Sequence, residues 1–177
     1  MARVKYLKRS DSSNQVIFDR LERERKVPTA NVFLAMTQVP DLLDGFLTYA
    51  NALRASCLNS KLRELAILTV GYCTNSRYEI AHHQSHARKA GVSDEQLKAM
   101  VRFDESSLFD AQEKAVMAFA RESTQRVDVS EATWDAVAAF LSESELIALT
   151  LVVGWYNSGV RLMGALAIEL EPGYTAP

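Results

Sequence analysis

The sequence of 177 residues contains little glycine, proline or cysteine. Seven glycines and four prolines are too few for many short strands joined by tight turns, which argues against an all-β fold. The two cysteines, Cys57 and Cys73, form neither a CxxC pair nor a disulfide framework. We therefore expect two reduced thiols that behave as small hydrophobic side chains.

The sequence also lacks an excess of positive charge and a long apolar run. Lys and Arg total 20 and Asp and Glu total 22, a formal net charge of −2, which argues against a nucleic-acid partner. No apolar stretch follows the basic N-terminus, so no signal peptide is predicted. The longest nearly uncharged run, 146–160, is too short to span a bilayer and is interpreted as a buried helix. We expect a cytoplasmic protein without a membrane partner.

Apolar residues recur at helical spacing along most of the chain, and no segment alternates convincingly with a period of two. This pattern predicts an all-α fold of about eight helices, with no linker that divides the chain. Caps and breakers delimit the helices, and in the first of them Val16, Ile17 and Leu21 share a face. The predicted segments are 13–25 ended by Pro28, one capped by Asn31, one opened by Pro40, 60–74, 76–90 ended by Gly91, one opened by the capping box Ser93–Gln96, one from Phe109 to about Ser123, one from Ser130 to about Leu141, the apolar helix opened by 142–145, and a last segment 161–170.

One internal similarity occurs at an offset of 81 residues, where Arg63–Thr69 aligns with Ser144–Thr150. Each copy is followed by an apolar stretch and then by a polar turn that ends the helix, at Thr74–Ser76 and at Tyr156–Ser158. The pattern predicts an internal helical-hairpin repeat whose two copies pack about a pseudo-twofold axis. The alternative is chance similarity between two amphipathic helices.

All three histidines, His82, His83 and His86, fall within five positions, and Glu79 precedes them. On a helix, Glu79 and His83 are separated by one turn, so a carboxylate can fix the tautomer of the imidazole and raise its basicity. Glu64 is a second candidate, because a carboxylate in a mostly apolar helix costs free energy unless it is paired. The alternatives are histidines on a solvated helix face and a glutamate exposed at a helix start.

The same residues include side chains that bind metals in other proteins. His82 and His86 lie one turn apart, which suits zinc, but the glutamate of an HExxH motif is missing. Glu79–His82 is a single E-x-x-H motif, whereas a di-iron bundle needs two. The sequence has no phosphate-cradling glycine-rich loop. It therefore predicts no metal and no cofactor.

Five segments share a further pattern: Leu62–Leu65, Ser76–Gln84, Lys89–Ser93, 31–43 and 145–162. Together they resemble the carboxymuconolactone decarboxylase and alkylhydroperoxidase D superfamily. The resemblance covers about residues 28–172, leaving a charged extension at 1–27 and a tail at 173–177. It implies an alkylhydroperoxidase D-like helical bundle that acts on a small-molecule substrate and forms a homo-oligomer, a trimer or a hexamer.

The peroxidase branch of that superfamily carries the motif Glu-x11-Cys-x2-Cys-x3-His. In this sequence the glutamate and histidine match Glu64 and His83, but the cysteine positions hold Ser76 and Glu79, and Cys73 matches neither. A disulfide cycle needs two thiols, so this departure argues against a peroxidase. The Ser-x-Tyr-Glu-x-x-x-His pattern resembles the decarboxylase-type branch, whose members release carbon dioxide from a carboxylated lactone without a cofactor.

By this analogy His83 is the proton donor, Glu79 its orienting partner and Glu64 a second acid/base group. Ser76, His86 and Tyr72 are the residues expected to bind substrate. The cations nearest to this set in the pattern are Arg77, Arg88 and Arg161. Two alternatives stay open: a peroxidase that uses Cys73, and a non-catalytic oligomeric binding protein.

Overall fold

The structure is a computed structural model that describes residues 1–11, 13–25 and 29–175. Within these residues the chain is all-α, as predicted, and contains no strand. Pro28, the expected breaker of the first helix, and the last two residues of the expected tail lie outside the described residues. The α-helices are α1 (Gln15–Glu24), α2 (Asn31–Met36), α3 (Pro40–Arg54), α4 (Ser60–Cys73), α5 (Arg77–Lys89), α6 (Asp94–Ala99), α7 (Ala111–Arg126), α8 (Glu131–Ala138) and α9 (Glu143–Leu166), with short 3-10 turns at Arg9–Asp11 and Met100–Arg102.

The chain packs as two compact units, here named the terminal unit (residues 1–55 and 162–175) and the central unit (residues 56–161). In the terminal unit, α1 buries Ile17, Phe18 and Leu21 in a cluster with leucines of α3. Val16 was expected on that face, but it is 77% exposed and Phe18 is buried in its place.

The central unit is built around α4. Every residue from Glu64 to Gly71 is buried, so α4 has no solvated face over these two turns. Leu65 and Leu68 belong to a cluster with residues that follow α5 and with Met117 of α7. Because helix α4 is covered on all sides, any polar group on it needs a partner inside the protein.

The α4–α5 hairpin closes through the predicted polar turn. Asn75 adopts a left-handed conformation with φ of 53°, which asparagine tolerates better than most residues. The side chain of Ser76 then caps α5 by accepting a hydrogen bond from the amide of Glu79. Gly91, the glycine predicted to end α5, has a φ of 96°. The predicted capping box of Ser93 and Gln96 is present at the start of α6.

Helices α4 and α5 approach closely at Gly71. A Cβ atom built on Gly71 would lie 3.1 Å from Cγ1 of Ile80 and 3.6 Å from Cβ of Glu79. The first distance is tighter than ordinary van der Waals contact, so a larger residue would force the two helices or the Ile80 side chain to move. Gly71 therefore sets the separation between α4 and the part of α5 that carries Glu79.

Helix α9 runs unbroken from Glu143 to Leu166, so the break predicted at 156–158 and the separate segment at 161–170 are wrong. The polar residues there are satisfied without a turn. Asn157 donates hydrogen bonds to Oγ1 of Thr124 at 2.9 Å and to the carbonyl of Val153 at 3.0 Å. Arg161 donates in turn to the side-chain and backbone oxygens of Asn157. The second helical hairpin of the predicted repeat does not form, because its residues continue as one helix.

Among the described residues, α9 is the one helix that is long and apolar enough to cross a membrane by length and composition. A single helix of this kind is weak evidence, because core helices of globular proteins pass the same test. The expectation that residues 146–160 are buried holds for one face. Ile147 and Leu151 are 61% and 44% exposed.

A buried carboxylate, Glu113, links three helices of the central unit. Its Oε2 accepts hydrogen bonds from the Gln96 side chain and from the backbone amide of Asp110, both at 3.1 Å. Its Oε1 pairs with Nζ of Lys61 at the start of α4. Glu113 is 5% exposed, so these partners offset the cost of removing its charge from water.

Replacing Glu113 with alanine tests this link. We expect Glu113→Ala to lower the free energy of unfolding by about 3 kcal/mol, because Lys61 and Gln96 lose a buried partner. Glu105, whose pair with Arg102 is exposed, supplies the control, and Glu105→Ala should change stability by less than about 0.5 kcal/mol. Denaturant titration of both variants measures the difference. Equal effects would contradict a structural role for Glu113.

Candidate active site

Glu64 reaches the site from the second turn of α4. Asn59 caps that helix, and its side chain accepts hydrogen bonds from the amides of Lys61 and Leu62. The cap fixes where α4 begins and therefore which residues point toward α5. The Glu64 side chain is only 7% exposed.

Glu79 and His83 reach the same place from α5. They are separated by four residues, so their side chains lie one above the other on the helix. Glu79 is 6% exposed and the His83 side chain is 14% exposed. The hairpin turn at Asn75 brings this face of α5 against α4.

The imidazole of His83 lies between the two carboxylates. Its Nδ1 is 2.8 Å from Oε2 of Glu64, and its Nε2 is 3.0 Å from Oε1 of Glu79. Each ring nitrogen therefore faces an acceptor. A neutral imidazole has one N–H and can donate to only one of them, whereas an imidazolium donates to both. The geometry favours the imidazolium.

The charges around His83 also favour the doubly protonated imidazole. Burial alone would lower the pKa of His83, but the charge of Glu79 and the hydrogen bonds to Glu64 and Glu79 outweigh burial and raise that pKa to about 9. Burial would raise the pKa of Glu64, yet its hydrogen bond to His83 and the nearby positive charges bring that pKa below its usual value. At neutral pH the centre holds a proton on each ring nitrogen.

A fourth charge, Arg63, lies next to the centre. Its Nε is 3.5 Å from Oε1 of Glu64, and its side chain is 15% exposed. Two carboxylates and one imidazolium leave a net charge of −1, which the guanidinium brings to zero. A neutral buried cluster costs less desolvation free energy than a charged one. Sequence reasoning did not select Arg63, although its position beside Glu64 in the chain was the available signal.

The arginines that the sequence pattern suggested as site cations lie in other surroundings. Arg88 pairs with Asp94 on the surface at 2.7 Å, and Arg161 is held by oxygens of Asn157. Arg77 is exposed in the first turn of α5. The cation that the structure brings to the carboxylates is Arg63.

Tyr156 of α9 covers one side of the imidazole. The ring centroids of Tyr156 and His83 are 5.0 Å apart and the rings are nearly perpendicular, at 86°. Sequence reasoning placed Tyr156 in a turn and therefore missed this contact. An aromatic residue on the most apolar helix was the signal that could have found it.

The three residues expected to bind substrate lie in different surroundings. Ser76 caps α5 directly before Glu79, so its hydroxyl already has a structural contact. The ring of His86 lies 5.4 Å from that of His83, although His86 is exposed. Tyr72 is half-buried, and its burial raises the pKa of its hydroxyl despite a hydrogen bond with Gln84.

In the described part of the chain, neither the two thiols nor a group of metal-binding side chains forms a second reactive site. Both cysteines are free, and burial raises the pKa of Cys73, with the charge of Arg121 opposing this. A raised thiol pKa is the reverse of what an attacking thiolate needs. Over residues 1–11, 13–25 and 29–175, no group of three or more His, Cys, Asp or Glu side chains is arranged to hold a metal ion.

Comparison with protein-family models gives a match over part of the chain. Residues 40–122, which include Glu64, Glu79 and His83, match the carboxymuconolactone decarboxylase family. This match agrees with the resemblance found in the sequence. A search of curated proteins found no significant match.

Several solved structures have the same fold. An uncharacterized peroxidase-related protein from Silicibacter sp. TM1040 is 18% identical over 98% of this chain and 93% of its own, with a TM-score of 0.84. The alkylhydroperoxidase AhpD core protein from Ralstonia eutropha JMP134 is 17% identical over 97% and 93%, also at 0.84. The debrominase Bmp8 in complex with 2,3,4-tribromopyrrole is 21% identical over 96% and 91%, at 0.81. At these identities the likeness concerns the fold.

The state of His83 can be measured directly. We expect histidine NMR titration to give a pKa near 9 for His83 and a clearly lower pKa in Glu79→Gln, because the amide removes one charge without changing the size of the side chain. The remote exchange Glu105→Gln is the control. An unshifted His83 pKa in Glu79→Gln would contradict the two-carboxylate environment.

The same protonation predicts how stability depends on pH. Because the folded pKa of His83 lies above its usual 6.5, the charged centre stabilises the fold fully below pH 6.5, and this contribution is lost as the pH rises through about 9. By linkage it amounts to up to about 3 kcal/mol. Urea titrations of wild type and His83→Gln between these pH values should show the loss in wild type only. Parallel pH profiles would exclude it.

Proposed function

We propose that this protein is a cofactor-independent enzyme that transfers a proton to a small cyclic carboxylate, such as a carboxylated lactone or a related ring-cleavage product. The observation that carries the proposal is the buried His83 imidazole between Glu64 and Glu79. Such a group can deliver a proton at a fixed position without a metal. The family match over residues 40–122 supports the same class of chemistry.

The proposed reaction is a decarboxylation. The bond from the substrate carbon to its carboxylate breaks, carbon dioxide leaves, and the electron pair moves toward the neighbouring lactone carbonyl as an enolate. His83 gives a proton to the carbon, and water later returns one to His83. A carbanion or enolate is a stronger base than an imidazole whose pKa is about 9, so this transfer runs downhill.

The two carboxylates have different proposed roles. Glu64 contacts two cations, His83 and Arg63, so it is the fixed carboxylate that keeps the imidazole charged. Glu79 lies on the same helix as His83, where a change in its side-chain rotamer suffices to uncover Nε2. We therefore assign Nε2 as the atom that donates to the substrate. Tyr156 limits the space beside the ring.

The substrate is proposed to be small and cyclic. The debrominase Bmp8, which has this fold, was solved with 2,3,4-tribromopyrrole, a small planar ring. For this chain, Arg63 beside Glu64 is the cation proposed to attract a substrate carboxylate. A thiol peroxidase is disfavoured, because burial raises the pKa of Cys73 and the motif cysteines are replaced by Ser76 and Glu79.

A panel of carboxylated lactones and related ring-cleavage products tests the proposal through carbon dioxide release and ultraviolet absorbance. For any compound that wild type turns over, we expect His83→Gln to lower kcat by at least about 100-fold, because the proton donor is lost. Glu79→Gln should shift the pH profile of kcat toward lower pH, since the pKa of His83 falls. His82→Gln, next in the chain and stacked on Tyr78, is the matched control and should retain activity.

Two results would overturn the proposal. One is full turnover by His83→Gln of a compound that wild type decarboxylates. The other is a wild-type protein that turns over no member of the panel and whose His83 NMR signal is unmoved by all of them. Loss of hydroperoxide turnover in Cys73→Ser would instead support the peroxidase alternative.

A further inference from the structure

The exposed side of α9 in the central unit carries a regular set of residues at spacings of three or four. We name this set the α9 stripe. Ile147 and Leu151 are its large members, and they are 61% and 44% exposed. The other side of the helix is buried through Leu149, Val152 and Val153. The α9 stripe consists of Glu143, Ile147, Leu151, Gly154, Ser158 and Arg161.

The α9 stripe is complementary in charge and size to a second α9 stripe that runs in the opposite direction. An acidic residue begins it and a basic residue ends it, at Glu143 and Arg161. The large apolar side chains occupy the first half, and Gly154 and Ser158 occupy the second. A helix that packs on its own antiparallel copy therefore sets large side chains against small ones and opposite charges against each other.

We propose that α9 pairs with α9 of a second copy of this chain, antiparallel, about a twofold axis that crosses the α9 stripe between Leu151 and Gly154. Under that axis Leu151 of one copy faces Gly154 of the other, and Ile147 faces Ser158. Glu143 reaches Arg161 at both ends of the contact. Both halves of such an isologous interface are the same, so each residue contributes twice.

A second copy accounts for the α9 stripe better than a lipid bilayer does. A bilayer favours large apolar side chains, whereas Thr150, Gly154 and Ser158 are exposed along this side and Arg161 ends it. Gly154 also leaves open space, since a Cβ built on it meets nothing within 4 Å in its own chain. Such a position allows a neighbouring helix to approach closely.

The proposal separates the two assemblies that the family resemblance implied. A twofold contact builds assemblies with an even number of subunits, so it fits a hexamer and does not fit a trimer alone. The contact would also hold in place the helix that carries Tyr156. The Tyr156 side chain lies on the opposite side of α9 and contacts His83.

The mass of the full-length chain in native mass spectrometry and light scattering tests the pairing. We expect an even subunit number for wild type and half of that number for Gly154→Gln, because the long side chain occupies the space of the partner helix. The control is Gly45→Gln on α3, also an exposed helical glycine with nothing within 4 Å of its built Cβ. Circular dichroism should show both variants folded.

A charge exchange makes the test specific for the antiparallel contact. We expect Arg161→Glu and Glu143→Arg each to weaken the assembly by about tenfold or more, and the double variant to restore it. An odd subunit number for wild type, no change in Gly154→Gln, or a double variant weaker than both single variants would overturn the proposal. A wild-type chain that is monomeric in solution and binds phosphatidylcholine–phosphatidylglycerol vesicles would also overturn it.

Discussion

The contact on which the central unit depends is the pair of hydrogen bonds from His83 to Glu64 and Glu79. Three ionised groups are removed from water there, and each one alone would destabilise the fold. Their cost is offset only while both carboxylates stay within hydrogen-bond distance of the ring. The separation of α4 and α5 is therefore constrained, and the missing side chain at Gly71 permits the required approach. The guanidinium of Arg63 completes the charge balance.

Local chemistry made much of the α4–α5 hairpin predictable. The spacing of Glu79 and His83 places them on one helix face whatever the rest of the fold does. Asn75, Ser76 and Gly91 terminate helices by conformations and hydrogen bonds that involve only their near neighbours. The pairing of Glu64 with His83 spans 19 positions, so the residues alone did not establish it, and the family resemblance supplied the link.

Features that depend on distant residues were not predictable in the same way. Tyr156, Asn157 and Ser158 look like a polar turn when only their neighbours in sequence are considered. In the structure Thr124 of α7 accepts a hydrogen bond from Asn157, and the helix continues. The place of Tyr156 against His83 follows from that continuity. Val16 was expected on the packed face of α1, but the leucines of α3 cover a face that includes Phe18 instead.

The burial of α4 between Glu64 and Gly71 links the candidate site to the core of the central unit. A backbone amide inside a helix exchanges its hydrogen with solvent only after the helix opens, and α4 between Glu64 and Gly71 has no exposed side from which to open. The carboxylate of Glu64 thus sits on the segment expected to be the last to exchange. Glu64 is therefore expected to leave the centre only when α4 itself opens.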